Sequence, residues 1–230
     1  AGSQPLHLEQ REWLLANGTG AYAMGTAAGV PTRRYHGLLV AATQPPVGRV
    51  VLLSNVIDQL ELHGDDEAQT TLELSTLGFP GEDDSRLYAP PGHAVLRAFE
   101  RGLHVAWRYQ WGQVKVTRTL RLHWKRQAAT VSYDIELREA AAVDAVLRIR
   151  PLVAMRDFHA LMGDVPDVPF DVQLGDHDDT AVIRRGDLAM ALRCRGTRFR
   201  GPQDWWRNVH YPIDARRGQG DREDLFAPGC

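Results

Sequence analysis

The most chemically loaded stretch of this 230-residue sequence is Thr32-Arg33-Arg34-Tyr35-His36-Gly37, which sets two guanidinium groups, a phenol and an imidazole immediately before an apolar run. Arginine and histidine give directional hydrogen bonds to hydroxyl groups, and the face of an aromatic ring can cover the C–H face of a pyranose. Such a segment suits recognition of a neutral, hydroxyl-rich ligand. The same spacing also fits a purely structural role, with one arginine paired to a buried acid, Tyr35 packed in a core and the rest solvated. Spacing alone favours the structural role.

Catalytic chemistry is harder to find. Glycoside hydrolysis needs two carboxyl groups flanking the scissile bond, one protonating the leaving oxygen and the other acting as base or nucleophile. The candidate acids are Glu12, Asp157, Glu223 and Asp224, and nothing in their spacing sets any two across a sugar ring. Arg156 beside Asp157, and Arg222 beside Glu223, can equally make structural ion pairs. No catalytic residue is therefore expected. The stretch from Gly18 through Gly20 to Ala23 superficially matches a dinucleotide fingerprint, which requires an acid about 20 residues on to hold a ribose. There is no acid between Glu12 and Asp58, so these glycines read as turn formers. Asn17-Gly18-Thr19 also matches a glycosylation sequon and is read as a tight turn. Gly175-Asp176-His177-Asp178-Asp179 gathers possible metal ligands, but Ala181 stands where a calcium loop wants glycine. A solvated hairpin loop is expected there, with no metal and no other cofactor. Neither a Gly-x-Ser-x-Gly elbow nor a phosphate loop is present.

A formal charge of −2, from 27 basic and 29 acidic residues, gives no net attraction to a polyanion, so nucleic acid and acidic membranes are not expected partners. The hydrophobic content of 43% suffices for a buried core. No signal-like start and no run of about 18 apolar residues is seen, so no membrane span is expected. Cys194 and Cys230 do not make a disulfide framework, which suits a cytoplasmic protein.

The elements that would position these groups read as strands. From Val105 onward, apolar and polar residues alternate with the two-residue period of a strand buried on one face. Val105, Trp107, Tyr109 and Trp111 form one inward row, Gly112-Gln113 a turn, and Val114, Val116, Leu120, Leu122 and Trp124 the next. Further rows are Val131, Tyr133, Ile135, Leu137 and Val143, Ala145, Leu147, Ile149, with Ser132, Asp134, Glu136 and Arg138 outward. Segments 181–185 and 188–195 flank a Gly186-Asp187 turn, and Cys194, in parity with Leu188, Met190 and Leu192, is expected to be buried. Segments 36–42 and 49–57 are apolar on both parities and read as central strands. Segments 78–92 and 163–169 read as loops, and 156–162 as a short helical turn. The expected fold is all-β, a large antiparallel two-sheet β-sandwich with few or no long helices, formed as one domain by residues 1–230.

Taken together, Glu12-Trp13-Leu14, Asn17-Gly18-Thr19-Gly20-Ala21-Tyr22, Gly25-Thr26, Gly29 and the segment 32–40 closely resemble the start of glycogen debranching enzymes of the bacterial and archaeal type. Further landmarks are Pro45-Pro46-Val47-Gly48-Arg49, Arg150-Pro151-Leu152, Arg156-Asp157-Phe158-His159 and Glu223-Asp224-Leu225-Phe226-Ala227-Pro228-Gly229. The resemblance thus spans nearly the whole chain, although 163–187 carries no landmark and Ala21 stands where glycine is common in the family. It implies an amino-terminal β-supersandwich followed by an (α/α)6 toroid that carries the carboxylates cleaving α-1,6 branch points. The chain would then be the N-terminal domain of an amylo-α-1,6-glucosidase, inactive alone, with the catalytic domain downstream. Implied partners are an α-glucan, glycogen or limit dextrin, and the enzyme's own C-terminal catalytic domain. Substrate or interdomain contacts are expected at Trp13, Asn17, Tyr22, Arg33, Arg34, Tyr35 and His36, and at Arg156, Asp157, His159, Glu223 and Asp224. The alternative from another class is a free-standing, non-catalytic α-glucan-binding module. A small sandwich enzyme such as a sugar mutarotase is a third reading, but its His and Glu pair is not recognisable here.

Overall fold

The computed structural model describes residues 6–44, 47–63, 69–83, 85–137, 144–176 and 179–230. After a single helical turn, α1 (Leu6–Glu9), come β1 (Glu12–Ala16), β2 (Tyr22–Thr26), β3 (Gly37–Gln44), β4 (Gly48–His63), β5 (Gln69–Glu73), β6 (Leu77–Pro80) and β7 (Arg86–Ala89). The chain continues through β8 (Leu96–Arg101), β9 (Val105–Trp111), β10 (Val114–Leu122), β11 (Ala129–Leu137), β12 (Asp144–Asp157), β13 (Asp171–Leu174), β14 (Thr180–Arg185) and β15 (Leu188–Arg193). It ends with β16 (Asp204–His210), the short helix α2 (Pro212–Ala215) and β17 (Arg222–Ala227). The expected all-β class is what forms. No helix of the described residues is long and apolar enough to cross a membrane.

An eight-stranded antiparallel sheet, ordered β1-β2-β3-β4-β12-β17-β16 with β5 also on β4, forms the main layer. Facing it are a four-stranded sheet, β11-β10-β9-β8, and a three-stranded sheet, β13-β14-β15. The main core fills the space between: Trp13, Leu39, Leu53 and Leu60 meet Trp107, Tyr109, Val116 and Leu120, with Ile183 and Met190 joining from the three-stranded sheet. Each such side chain contributes about 1.5–3 kcal/mol by leaving water. A second cluster lies on the other face of the main sheet, where Val40, Val51, Leu152 and Leu225 pack with Leu77 and Tyr211. Covering on both faces explains why β3, β4 and the end of β12 carry apolar residues on both parities. The alternating row of β11, by contrast, has its outward positions in water.

Several local expectations are corrected. Trp111 and Trp124 are exposed, at strand ends that the facing sheet does not cover. Cys194 is exposed as well, because β15 stops at Arg193 and parity carries no meaning beyond the end of a strand. Segment 78–92 is not a bare loop: it contains most of the β6–β7 hairpin. The helical turn expected over 156–162 is absent, since Arg156 and Asp157 complete β12 and only a 3-10 turn, Met162–Asp164, follows. A register break against β4 between Val153 and Arg156, with Met155 at φ +48°, is a bulge that re-aims the chain just ahead of Arg156. Pro45 and Pro46 of the landmark, Arg138 and Val143 of the alternating rows, and His177 and Asp178 of the acidic loop lie outside the described residues.

Candidate functional site

The β1–β2 turn is built on Asn17. Its buried side-chain oxygen accepts hydrogen bonds from the amides of Thr19 (2.9 Å) and Ala21 (3.0 Å), while Gly18 and Gly20 take φ of +79° and +97°. Only glycine adopts such angles without strain. The Asn17 amide nitrogen donates to Arg126 O at 3.0 Å, so it is committed to the fold and the turn reading of the sequon stands. Trp13 is likewise interior, with Nε1 donating to Thr26 O at 3.0 Å and its ring edge-on to Trp107.

Between β2 and β3, the arginine-rich segment is held by a lattice of buried charges. The Arg34 amide donates to Asp214 Oδ2 at 2.7 Å, and its guanidinium reaches His159 O (2.7 Å) and Gly220 O (2.6 Å). Arg34 O in turn accepts from Arg156 Nη2 at 3.0 Å. Arg156 Nε donates to Glu223 Oε2 at 2.7 Å, and Glu223 Oε1 takes the Met162 amide at 2.7 Å. Burial pushes the Glu223 carboxyl up, and Arg156 opposes this. Both side chains are fully enclosed, so the pair is tolerated only because its members find several partners.

Arg33 and His36 converge on Glu12. His36 is buried and its Nδ1 accepts the Thr32 amide at 3.1 Å, which leaves the ring proton on Nε2, 3.3 Å from Glu12 Oε1. Arg33 Nε reaches the same oxygen at 2.5 Å. The hydrogen bond from His36, reinforced by Arg33, holds the Glu12 carboxyl at about 2 against the effect of burial. Because this lies below the ordinary 4.5, the stability it contributes is present above pH 4.5 and is lost as pH falls toward 2. Glu12→Gln is accordingly expected to flatten that part of the acid limb, as read by urea unfolding at pH 5 and pH 2.5.

The lattice carries a cluster of rings at the edge of the core, with His159 exposed and Tyr35 and Phe158 half-buried. Tyr35 Oη lies 3.1 Å from His159 Nδ1, the Tyr35 and Phe158 rings meet edge-on at 5.6 Å, and Phe158 touches His159 at 3.9 Å between centroids. Tyr22 donates its hydroxyl to Tyr35 O at 3.0 Å, and burial pushes that phenol up to about 12. Asp157 Oδ1 accepts the His159 amide at 2.8 Å. Arg49 lays its guanidinium 5.6 Å from the Phe158 centroid while Nε donates to Gly20 O at 2.8 Å. Tyr22, Arg34 and Tyr35 of the first set therefore meet Arg156, Asp157, His159 and Glu223 of the second here, whereas Arg33 and His36 turn to Glu12, Trp13 and Asn17 lie in the core and in the β1–β2 turn, and Asp224 faces away. It points to the opposite side of β17 from Glu223 and binds Arg207 and the Asn208 amide, each at 2.8 Å.

This arrangement can bind, but it is not set up for acid–base hydrolysis, because Glu223 is enclosed, Glu12 is held as an anion by Arg33 and His36, and Asp157 braces a backbone amide. The large cleft of about 880 Å³ between β11 and β15 lies elsewhere, floored by Leu53, Val56, Leu147 and Ile149 and lined by none of the residues expected to contact substrate or the neighbouring domain. Among the described residues no His, Cys, Asp or Glu group is arranged to hold a metal ion. Sequence reasoning quoted Phe158 and Arg49 within landmarks without assigning them to the site, and it missed Asp214, whose partner is 180 residues away along the chain.

A family profile described as "Glycogen debranching enzyme N terminal" matches residues 11–230. No significant match is found among curated proteins or among solved structures.

Proposed function

The chain belongs to the glycogen debranching enzyme N-terminal family, and on that premise we propose that it serves a cytoplasmic amylo-α-1,6-glucosidase as the domain that buttresses the catalytic toroid and offers α-glucan contacts at its rim. The observation that carries this reading is the Tyr35, Phe158 and His159 ring cluster, which reaches the surface with His159 exposed and the other two rings half-buried, and is fixed from beneath by Arg34, Arg156, Glu223 and Asp214. A rigid ring beside a phenol and an imidazole matches a pyranose, which is apolar on its faces and polar at its edge. The carboxylates that break the bond belong to the downstream domain in this reading, so the isolated chain should release negligible glucose from a branched dextrin.

The test is kinetic. In the full-length enzyme, Tyr35→Ala or His159→Ala is expected to lower kcat/KM on a branched dextrin by about tenfold, the loss of roughly 1–1.5 kcal/mol from one stacking or hydrogen-bonding contact. Because His159 is exposed and Tyr35 half-buried, the unfolding midpoint should move little in His159→Ala and modestly in Tyr35→Ala. A large fall in midpoint with unchanged efficiency would show that the cluster only stabilises the fold.

A further inference from the structure

Trp124 is 68% exposed, at the tip of the β10–β11 hairpin, and nothing in the fold or in the cluster above uses its outer face. Its inner face has a dedicated seat. A Cβ on Gly18 would lie 2.5, 2.7 and 2.8 Å from Cη2, Cζ3 and Cζ2 of the indole, so the ring is laid against the bare backbone of Gly18. Any side chain there would displace it. The backbone just after Trp124 is pinned to the same turn: Lys125 donates its amide to Asn17 O at 2.7 Å, and Asn17 Nδ2 donates to Arg126 O at 3.0 Å. Turn and hairpin tip are therefore one unit that presents a large ring in a fixed direction.

The same hairpin tip carries His123, Lys125 and Arg126, and the turn beneath carries Thr19, all exposed hydrogen-bonding residues. A ring intended for a dry protein contact would be expected within a contiguous apolar patch. A ring among donors suits a ligand with an apolar face and a hydroxylated edge. The unit is also linked to the Tyr35 cluster, since Gly20 O in the same turn is held by Arg49, whose guanidinium lies over Phe158.

We infer that Trp124, seated on Gly18, is a second stacking subsite for an α-glucan chain, engaging glucose units beyond those at the Tyr35, Phe158 and His159 cluster. The inference rests on the glucan-binding role proposed above and extends it to a named residue and a longer ligand. Two ring sites would favour long outer chains over short oligosaccharides, because the second contact is made within an already bound molecule.

The probe is maltoheptaose, titrated calorimetrically into the full-length enzyme, with KM for glycogen measured alongside. Trp124→Ala is expected to weaken maltoheptaose binding about five- to tenfold, as for the loss of one stacked ring. Trp124→Phe should hold within about twofold, and the unfolding midpoint should be unchanged in both. Unaltered affinity in Trp124→Ala overturns the inference. So does unaltered affinity accompanied by separate unfolding of the two domains, which would make Trp124 an interdomain contact. If the unaltered enzyme binds neither maltoheptaose nor glycogen, the glucan-binding reading itself fails. Binding that is lost in Tyr35→Ala but kept in Trp124→Ala removes only the second subsite.

Discussion

Arg118→Met is expected to destabilise the domain by about 3–5 kcal/mol, the typical result of removing one partner from a buried ion pair. Asp58 is completely buried between the main sheet and the four-stranded sheet, where both carboxylate oxygens accept from Arg118 Nη1, at 3.2 and 3.1 Å. Oδ2 also takes the Tyr133 hydroxyl at 2.8 Å, and Oδ1 takes the Ser75 hydroxyl. Burial, and then Asp58 itself, push the Tyr133 phenol well above its ordinary range, so it remains a donor rather than a competing anion. The Arg118 guanidinium lies 4.5 Å over the Trp107 ring, which fixes it without offering a counter-charge. Methionine can fill that space, but it leaves an enclosed carboxylate with only the Tyr133 and Ser75 hydroxyls as donors.

The double variant separates the charge effect from the packing effect. Asp58→Leu with Arg118→Met removes both charges together, and such replacements are often neutral or stabilising. Adding Tyr133→Phe removes the hydroxyl that would lose its acceptor. This combined variant should recover to within about 1 kcal/mol of the unaltered domain, whereas the single variant should melt roughly 10 °C lower, given about 2–4 °C per kcal/mol for a domain of this size. A single-variant cost below about 1 kcal/mol would mean that water reaches Asp58 and the pair is not truly buried.

That network also shows where the sequence was legible and where it was not. The alternation of β9, β10 and β11 is a local property of each strand, so their inward rows could be read directly, and the doubly covered strands β3 and β4 followed from apolar residues on both parities. Arg118 falls in the inward row between Val116 and Leu120, and Asp58 directly follows the apolar run of β4. Two interruptions of opposite sign, each in a core position, were the available signal for a buried pair. Hydrophobic periodicity does not register it, because it counts only apolar positions. At the site, the motifs marked Tyr35, Arg156 and His159, but burial decides role there, and burial depends on contacts across the fold. His36 and Arg34 are interior supports, His159 is exposed and Tyr35 half-buried beside it, although nothing in their residue types separates them. The bulge at Met155 and the early end of β15 are likewise set by pairing partners, which is why Arg156 was read as helical and Cys194 as buried.

Glu223→Ala should show whether the buried lattice does more than stabilise. The Arg156 guanidinium bonds Glu223, Arg34 O (3.0 Å) and Asp157 O (3.1 Å), so one side chain ties β17 to the segment bearing Tyr35 and to the strand end before Phe158. Without the carboxylate, a fully enclosed cation keeps only neutral acceptors and the Met162 amide loses its partner. The expected loss is again about 3–5 kcal/mol. Arg156→Lys should be milder but not silent, because a single ammonium cannot reproduce a planar fork across separated acceptors. The informative measurement is KM for a branched dextrin in the full-length enzyme at 15 °C, far enough below the midpoint for the variants to be folded. If the lattice aims the rings, KM should rise several-fold in Glu223→Ala and less in Arg156→Lys, because Tyr35 and His159 are set by the carbonyls that Arg156 and Arg34 hold. If KM in the folded variants matches that of the unaltered enzyme, the pair contributes stability alone and the ring cluster takes its geometry from the strands themselves.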